Sequence, residues 1–172
     1  AVTASPGAPG DTSTIKLSLT IDEELRGNAD ELWIAFDAKY GIPASIAKSA
    51  ISIASGQTTG GVSNPLIDPT IAEETAAGTG TSPLSVGDTV VKIAIGDTEP
   101  ADTTSIGNLS VNVGANAHIV TFSAAAALTL PTAQSTQPIW MSKDLGVSWS
   151  DATKAAGTNA IAVDETLTLS SS

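Results

Sequence analysis

The chain has 172 residues and a formal net charge of −11, from 18 acidic against seven basic side chains. It therefore repels nucleic-acid phosphates and anionic membrane surfaces, and neither is expected as a partner. It contains no Cys and a single His, which excludes a disulfide framework and zinc sites of the usual Cys/His kind. A chain of this length buries roughly 70% of its unfolded surface, enough for one sizeable core or two small ones.

In chain order, the first strong element is 14–21, where Ile15, Leu17, Leu19 and Ile21 alternate with Lys16, Ser18 and Thr20. That period of two predicts a strand with one buried face. Across 32–36, Leu32, Ile34 and Phe36 share one face and Trp33 and Ala35 the other; both are apolar, which predicts a central strand with Trp33 in the core. Pro43 suits the first turn of a short helical stretch over 44–49, and Ile51 and Ile53 then restore strand character over 50–54. From Ser55 to Gly87 repeated Gly and Pro interrupt any ladder, so this segment is expected as a long insertion loop or arm packed over the sandwich or a neighbouring subunit, with a short edge strand around Pro65–Ile67 and Ile71.

Strand signals return at 89–95, through Val91, Ile93 and Ile95, and at Leu109, Val111 and Val113. Gly114–Ala117 reads as a hairpin loop into a strand over 118–122. Weaker runs lie at 128–130, 139–141, 147–149, 161–163 and 166–170. About ten short strands separated by turn residues predict an all-β fold, a β-sandwich with Greek-key connections forming one domain over 1–172, with a two-lobed arrangement as the alternative.

Two stretches carry a family resemblance. Ala1-Val2-Thr3-Ala4-Ser5-Pro6 leads into the first strand, and Ile34-Ala35-Phe36 comes shortly before Ile42-Pro43-Ala44-Ser45-Ile46 and Ala50-Ile51-Ser52-Ile53. Later, Ile119-Val120-Thr121-Phe122-Ser123 runs into Ala124-Ala125-Ala126, followed by Pro131-Thr132-Ala133. These residues are similar to the immunoglobulin-like domains of prokaryotic surface-layer and adhesin-type proteins, over the first 55 residues and from Thr89 to Trp149. The chain departs from their pattern in its 55–87 segment and in having Ala127 where those domains often place a Gly-containing turn. The resemblance implies passive surface work, as a layer, stalk, filament or adhesin, with no catalytic residues to carry over.

The residues point the same way. A Ser–His nucleophile would have to use His118, in a strand beside a hairpin loop, where a surface or cross-strand histidine is expected instead. No EF-hand spacing occurs; Asp22, Glu23, Glu24 and Asp30, or Asp97, Glu99 and Asp102, are the carboxylate groups that could hold Ca²⁺, and no cofactor is otherwise expected. Six aromatic residues are too few to fill a core and line a glycosidase cleft, so the chain is not expected to be an enzyme. Trp140 and Trp149, near turns at Pro138 and Gly146, are the candidates for a sugar-stacking platform or an interface anchor.

No apolar run approaches the roughly 20 residues needed to span a bilayer, and the start at Ala1 reads as a mature protein after leader removal. A secreted, extracellular or cell-surface location is expected, with Asn108-Leu109-Ser110 as a candidate glycosylation triplet. The expected function is that of an extracellular structural subunit that assembles with copies of itself into a filament, tube or surface layer by strand pairing between subunits. The alternating Thr166, Leu167, Thr168, Leu169 and Ser170, within 166–172, form the candidate donor strand, and Ala1–Ser5 is the other candidate, limited by Pro6 and Pro9. The alternative is a monomeric adhesin or carbohydrate-binding module of a larger surface protein.

Overall fold

The computed structural model describes residues 2–21, 25–26, 31–54, 69–75, 82–94, 105–106, 116–132, 136–142, 145–146, 161–163 and 166–168. Alternating apolar and polar residues fold into strands because each strand can then bury one face, and these strands form two antiparallel sheets with almost no helix. The first sheet has the spatial order β1 (Val2–Ser5), β2 (Thr14–Ile21), β9 (Asn116–Phe122), β5 (Ile51–Ala54), with β11 (Ile161–Val163) also paired to β2. The second runs β12 (Thr166–Thr168), β10 (Thr136–Ser142), β4 (Glu31–Phe36), β7 (Thr89–Ala94), β6 (Thr70–Glu73). A separate two-stranded ribbon pairs β3 (Leu25–Arg26) with β8 (Ser105–Ile106). The chain crosses repeatedly between the sheets, from β4 to β5, back to β6 and β7, then to β9 and again to β10.

Both sheets contribute to one core cluster. Ile15, Leu17, Ile51, Val120 and Phe122 enter it from the first sheet, and Leu32, Ile34, Phe36, Val91, Ile93, Ile139 and Met141 from the second. Phe36 and Phe122 meet edge-on between the sheets, ring centroids 5.7 Å apart, and Tyr40 packs against Phe36 at 5.4 Å in the same manner. Loop residues Ile46, Leu128 and Leu130 complete the cluster.

β2 has the bounds its alternation predicts, and β4 lies between β10 and β7 with both faces largely covered, as a central strand requires. Trp33 corrects the expectation of a core tryptophan. Leu32, Ile34 and Phe36 take the inner face of β4, so the pleat sends Trp33 to the outer face, where it is half-buried. The helical stretch expected over 44–49 is a single 3-10 turn at Lys48–Ala50, because the Ala50 carbonyl accepts from the Ser123 N–H (2.8 Å) and Ile51 already pairs with Phe122. Asn116 and Ala117, expected in a loop, extend β9 by pairing with Ile21 and Thr20.

The run 128–130 contributes only isolated bridges, Thr129 to Thr12 and to Gly41. A Cβ at Gly41 would collide with the Thr129 hydroxyl, so that side chain would have to move to admit any other residue. Ala127 adopts a left-handed backbone (φ 55°) at the end of the 3-10 turn Ala124–Ala126, so the conformation suited to glycine occurs without one. Of the 55–87 segment, β6 forms an edge of the second sheet through Ile71 and its neighbours, and 82–87 begins the cover of that sheet's outer face. The strand signals at 109–113 and 147–149 and residues 55–68 and 76–81 lie outside the described residues.

Tyr40 yields a direct test. It is the only tyrosine in the chain, it is buried, and its hydroxyl has no hydrogen-bond partner among the described residues. Burial, and then the Asp37 carboxylate, push its ionisation well above the ordinary phenol range. The folded state thus holds this proton more tightly than the unfolded chain, and the associated stability is complete below about pH 10 and declines above it. Tyr40→Phe should leave stability at pH 7 equal or higher by about 1 kcal/mol and should flatten the loss above about pH 10, read from urea unfolding at stepped pH.

Candidate functional site

The candidate assembly strand lies where the two sheets approach each other. β9 pairs with Ile15–Ile21 along one edge of β2. The other edge is shared: β1 covers Thr14–Leu17 and β11 covers Leu19–Ile21, so the two lie end to end. Only residues 164–165 separate β11 from β12, yet β12 pairs in the opposite sheet, Thr166 with Pro138, Leu167 with Gln137 and Thr168 with Thr136. β11 and β12 therefore join opposite sheets, with β12 also against β1 and β11 against β10. Each ladder is three residues long, and Pro138 has no N–H to give. Thr166, Leu167 and Thr168 thus pair within their own chain, while Leu169 and Ser170 lie outside the described residues.

A second feature occupies the outer face of the second sheet. In register, Trp140, Ala35, Val90 and Ala72 form one row across β10, β4, β7 and β6, and Ser142, Trp33, Lys92 and Thr70 form the next. Leu84 covers Ala35 and Val90, with Trp33 and Trp140 packed at the margin of this small cluster. Trp33 is fixed from two sides. Its Nε1–H donates to Glu31 Oε2 at 2.6 Å, and the Lys92 ammonium sits 4.2 Å from its ring centroid, a cation–π contact. Trp140 is half-buried on this face, so one candidate platform residue stands partly open there.

The covering segment is held by Asp88. Its Oδ1 accepts from the Ala38 N–H at 3.1 Å and its Oδ2 from the Ser85 N–H at 2.8 Å, which ties 82–88 to the turn after β4. Burial raises the Asp88 carboxyl above the usual range; the two backbone N–H groups act against this, and nearby Asp37 adds to it. Gly87 completes the turn with φ +91° and donates to the Glu74 carbonyl at 2.9 Å. The large apolar side chains exposed among the described residues are Val86, in this turn, and Leu145, which has φ 59° and precedes Gly146.

Among the described residues there is no group of three or more His, Cys, Asp or Glu placed to hold a metal ion, and no helix long and apolar enough to cross a membrane. His118 lies in β9 opposite Leu19. Asn108, Trp149 and the carboxylates Asp22, Glu23, Glu24, Asp30, Asp97, Glu99 and Asp102 lie outside the described residues. Compared with known protein families, curated proteins and solved structures, the chain matches none.

Sequence reasoning did not single out Leu84, Asp88 or Lys92. The available signal was local: Val86-Gly87-Asp88 is a turn triplet entering a strand, and Asp is a residue that caps neighbouring N–H groups. Asp88→Ala leaves two N–H groups without their acceptor and should cost about 2–3 kcal/mol. Leu84 should then lift from the sheet, and a red shift of tryptophan emission in the folded state would report it; unchanged emission and stability would refute the anchoring of 82–88 by Asp88.

Proposed function

We propose that this chain is an immunoglobulin-like, Greek-key structural subunit of an extracellular surface or filament, which associates with copies of itself by exchanging edge strands. The observation that carries this reading is the placement of β11 and β12: two short edge strands, two residues apart in sequence, in opposite sheets and each held by a three-residue ladder. Edge strands of this kind can pair equally well with the same edges of another copy, since the register partners are identical. Light scattering after size exclusion, followed by negative-stain electron microscopy, tests it. Wild-type chains should form regular polymers, and deletion of residues 166–172 should leave folded monomers; polymers unchanged by the deletion would reject the strand-exchange route.

A second reading, a monomeric adhesin or carbohydrate-binding module, is favoured by one observation: Trp140 and Trp33 lie half-buried on the same outer face, at the margin of the Leu84 cluster. It predicts that Trp140→Ala abolishes retention on a glycan column while leaving the thermal midpoint within a few degrees of wild type. Retention unaffected by Trp140→Ala would remove Trp140 as its platform.

A further inference from the structure

We infer that Asp37 and Asp88 make a proton-sensitive fastening between the turn after β4 and the 82–88 cover. When Asp88 takes up a proton the cover sits more firmly on the outer tryptophan face, and when both carboxyls are charged it opens more readily. The fastening is a property of the fold and stands apart from how the chain associates.

The backbone brings the two carboxyls together. Asp88 Oδ1 accepts from the Ala38 N–H at 3.1 Å and Asp37 Oδ1 from the Lys39 N–H at 2.9 Å, so they cap successive amides of one turn. Their surroundings differ. Asp37 is half-buried, whereas Asp88 is only 6% exposed and lies at a junction of three segments. Its Oδ2 accepts from the Ser85 N–H at 2.8 Å, its own N–H donates to the Ser85 carbonyl at 3.1 Å, and its carbonyl accepts from the Glu74 N–H at 2.8 Å. Gly87 comes so near the same turn that a Cβ built on it would stand 3.2 Å from the Ala38 Cβ. The cover, the end of β6 and the turn after β4 therefore meet at one carboxyl group.

A buried carboxylate with a second carboxylate beside it carries two penalties of the same sign, lost hydration and like-charge repulsion, and one proton relieves both. The two N–H donors oppose this, but unequally. The bond to Ala38 is the longer, so a proton on Oδ1 weakens the poorer bond and leaves Oδ2 for Ser85. The other titratable groups on the packed segments are Lys39 and Tyr40 on the turn and Glu73 and Glu74 at the end of β6; Lys39 and Glu73 are exposed, and burial keeps Tyr40 neutral. Asp37 is the charged neighbour that bears on Asp88, whose carboxyl stays above the usual range. The closed cover thus binds this proton more tightly than the open one. Its extra stability is complete below the ordinary carboxyl value of about 4 and is lost as the pH rises through the raised value of Asp88. Opening lifts Leu84 from Ala35 and Val90 and bares the margin where Trp33 and Trp140 pack.

Amide hydrogen exchange of the full chain, followed by NMR at about pH 4.5 and about pH 7.5 and expressed as protection relative to the unfolded rate, tests this fastening. The Ala38 and Ser85 N–H groups should be better protected at the lower pH by roughly twofold or more, and acrylamide quenching of tryptophan should fall in parallel. Asp37→Asn keeps an oxygen for the Lys39 N–H but removes the charge. It should raise protection at the higher pH toward the acid value and move the titration of the Asp88 carboxyl carbon to lower pH. Asp37→Ser makes the same comparison if circular dichroism shows that Asp37→Asn fails to fold. Protection that is unchanged or lower under acid conditions, or an Asp88 titration indifferent to loss of the Asp37 charge, would overturn the fastening. Protection that changes while quenching does not would overturn its hold on the tryptophan face.

Discussion

The contact on which the arrangement depends is the edge-on packing of Phe36 against Phe122. Each ring comes from a different sheet, and each belongs to a strand at the centre of its own sheet, so this pair sets the spacing and mutual position of the two layers. Around it, β9 receives Ile15 of β2 on one side and Ile51 of β5 on the other, both in register with Phe122. Ile139 of β10 stands opposite Phe36 in the same way. Burial of a side chain of this size contributes about 1.5–3 kcal/mol, and truncating Phe in such a setting costs more because of the cavity it leaves. Tyr40 extends the aromatic group from a loop, and its buried hydroxyl has no hydrogen-bond partner among the described residues.

The outer face of the second sheet depends on that core indirectly. Once Leu32, Ile34 and Phe36 point inward, the pleat sends Trp33 and Ala35 outward, and the sheet must be covered on its second side. Leu84 supplies the cover, Asp88 anchors it, and Lys92 with Glu31 fixes the Trp33 ring. The apolar outer positions of a central strand and the insertion between β5 and β7 are thus connected facts. An ordinary sandwich face would be polar and would need no such segment.

Strand positions were legible in the sequence wherever a period of two met a one-sided burial demand. β2, β4, β7 and β9 were found from Ile15, Ile34, Val91 and Phe122 and their alternating neighbours. What periodicity does not encode is which of two apolar faces turns inward; this is why Trp33 was assigned to the core and lies outside it. Nor does it encode partners. That β11 and β12, two residues apart, pair in different sheets depends on where β2 and β10 come to rest, a long-range outcome absent from any local window. Short bridges such as Thr129 with Gly41 were misread as a strand because an apolar run at 128–130 serves loop packing equally well. The aromatic candidate Trp140 was legible from its place in a run beside a turn; Lys92 and Asp88 were not, since their roles require the cross-strand register.

The divided edge of β2 has a consequence for biosynthesis. A ribosome completes β2 about 140 residues before β11 exists, which at about 5–20 residues per second is a delay on the order of ten seconds. Throughout that interval the Leu19–Ile21 backbone lacks its β11 partner. The order of synthesis therefore makes the closing of this edge one of the late steps in completing the first sheet.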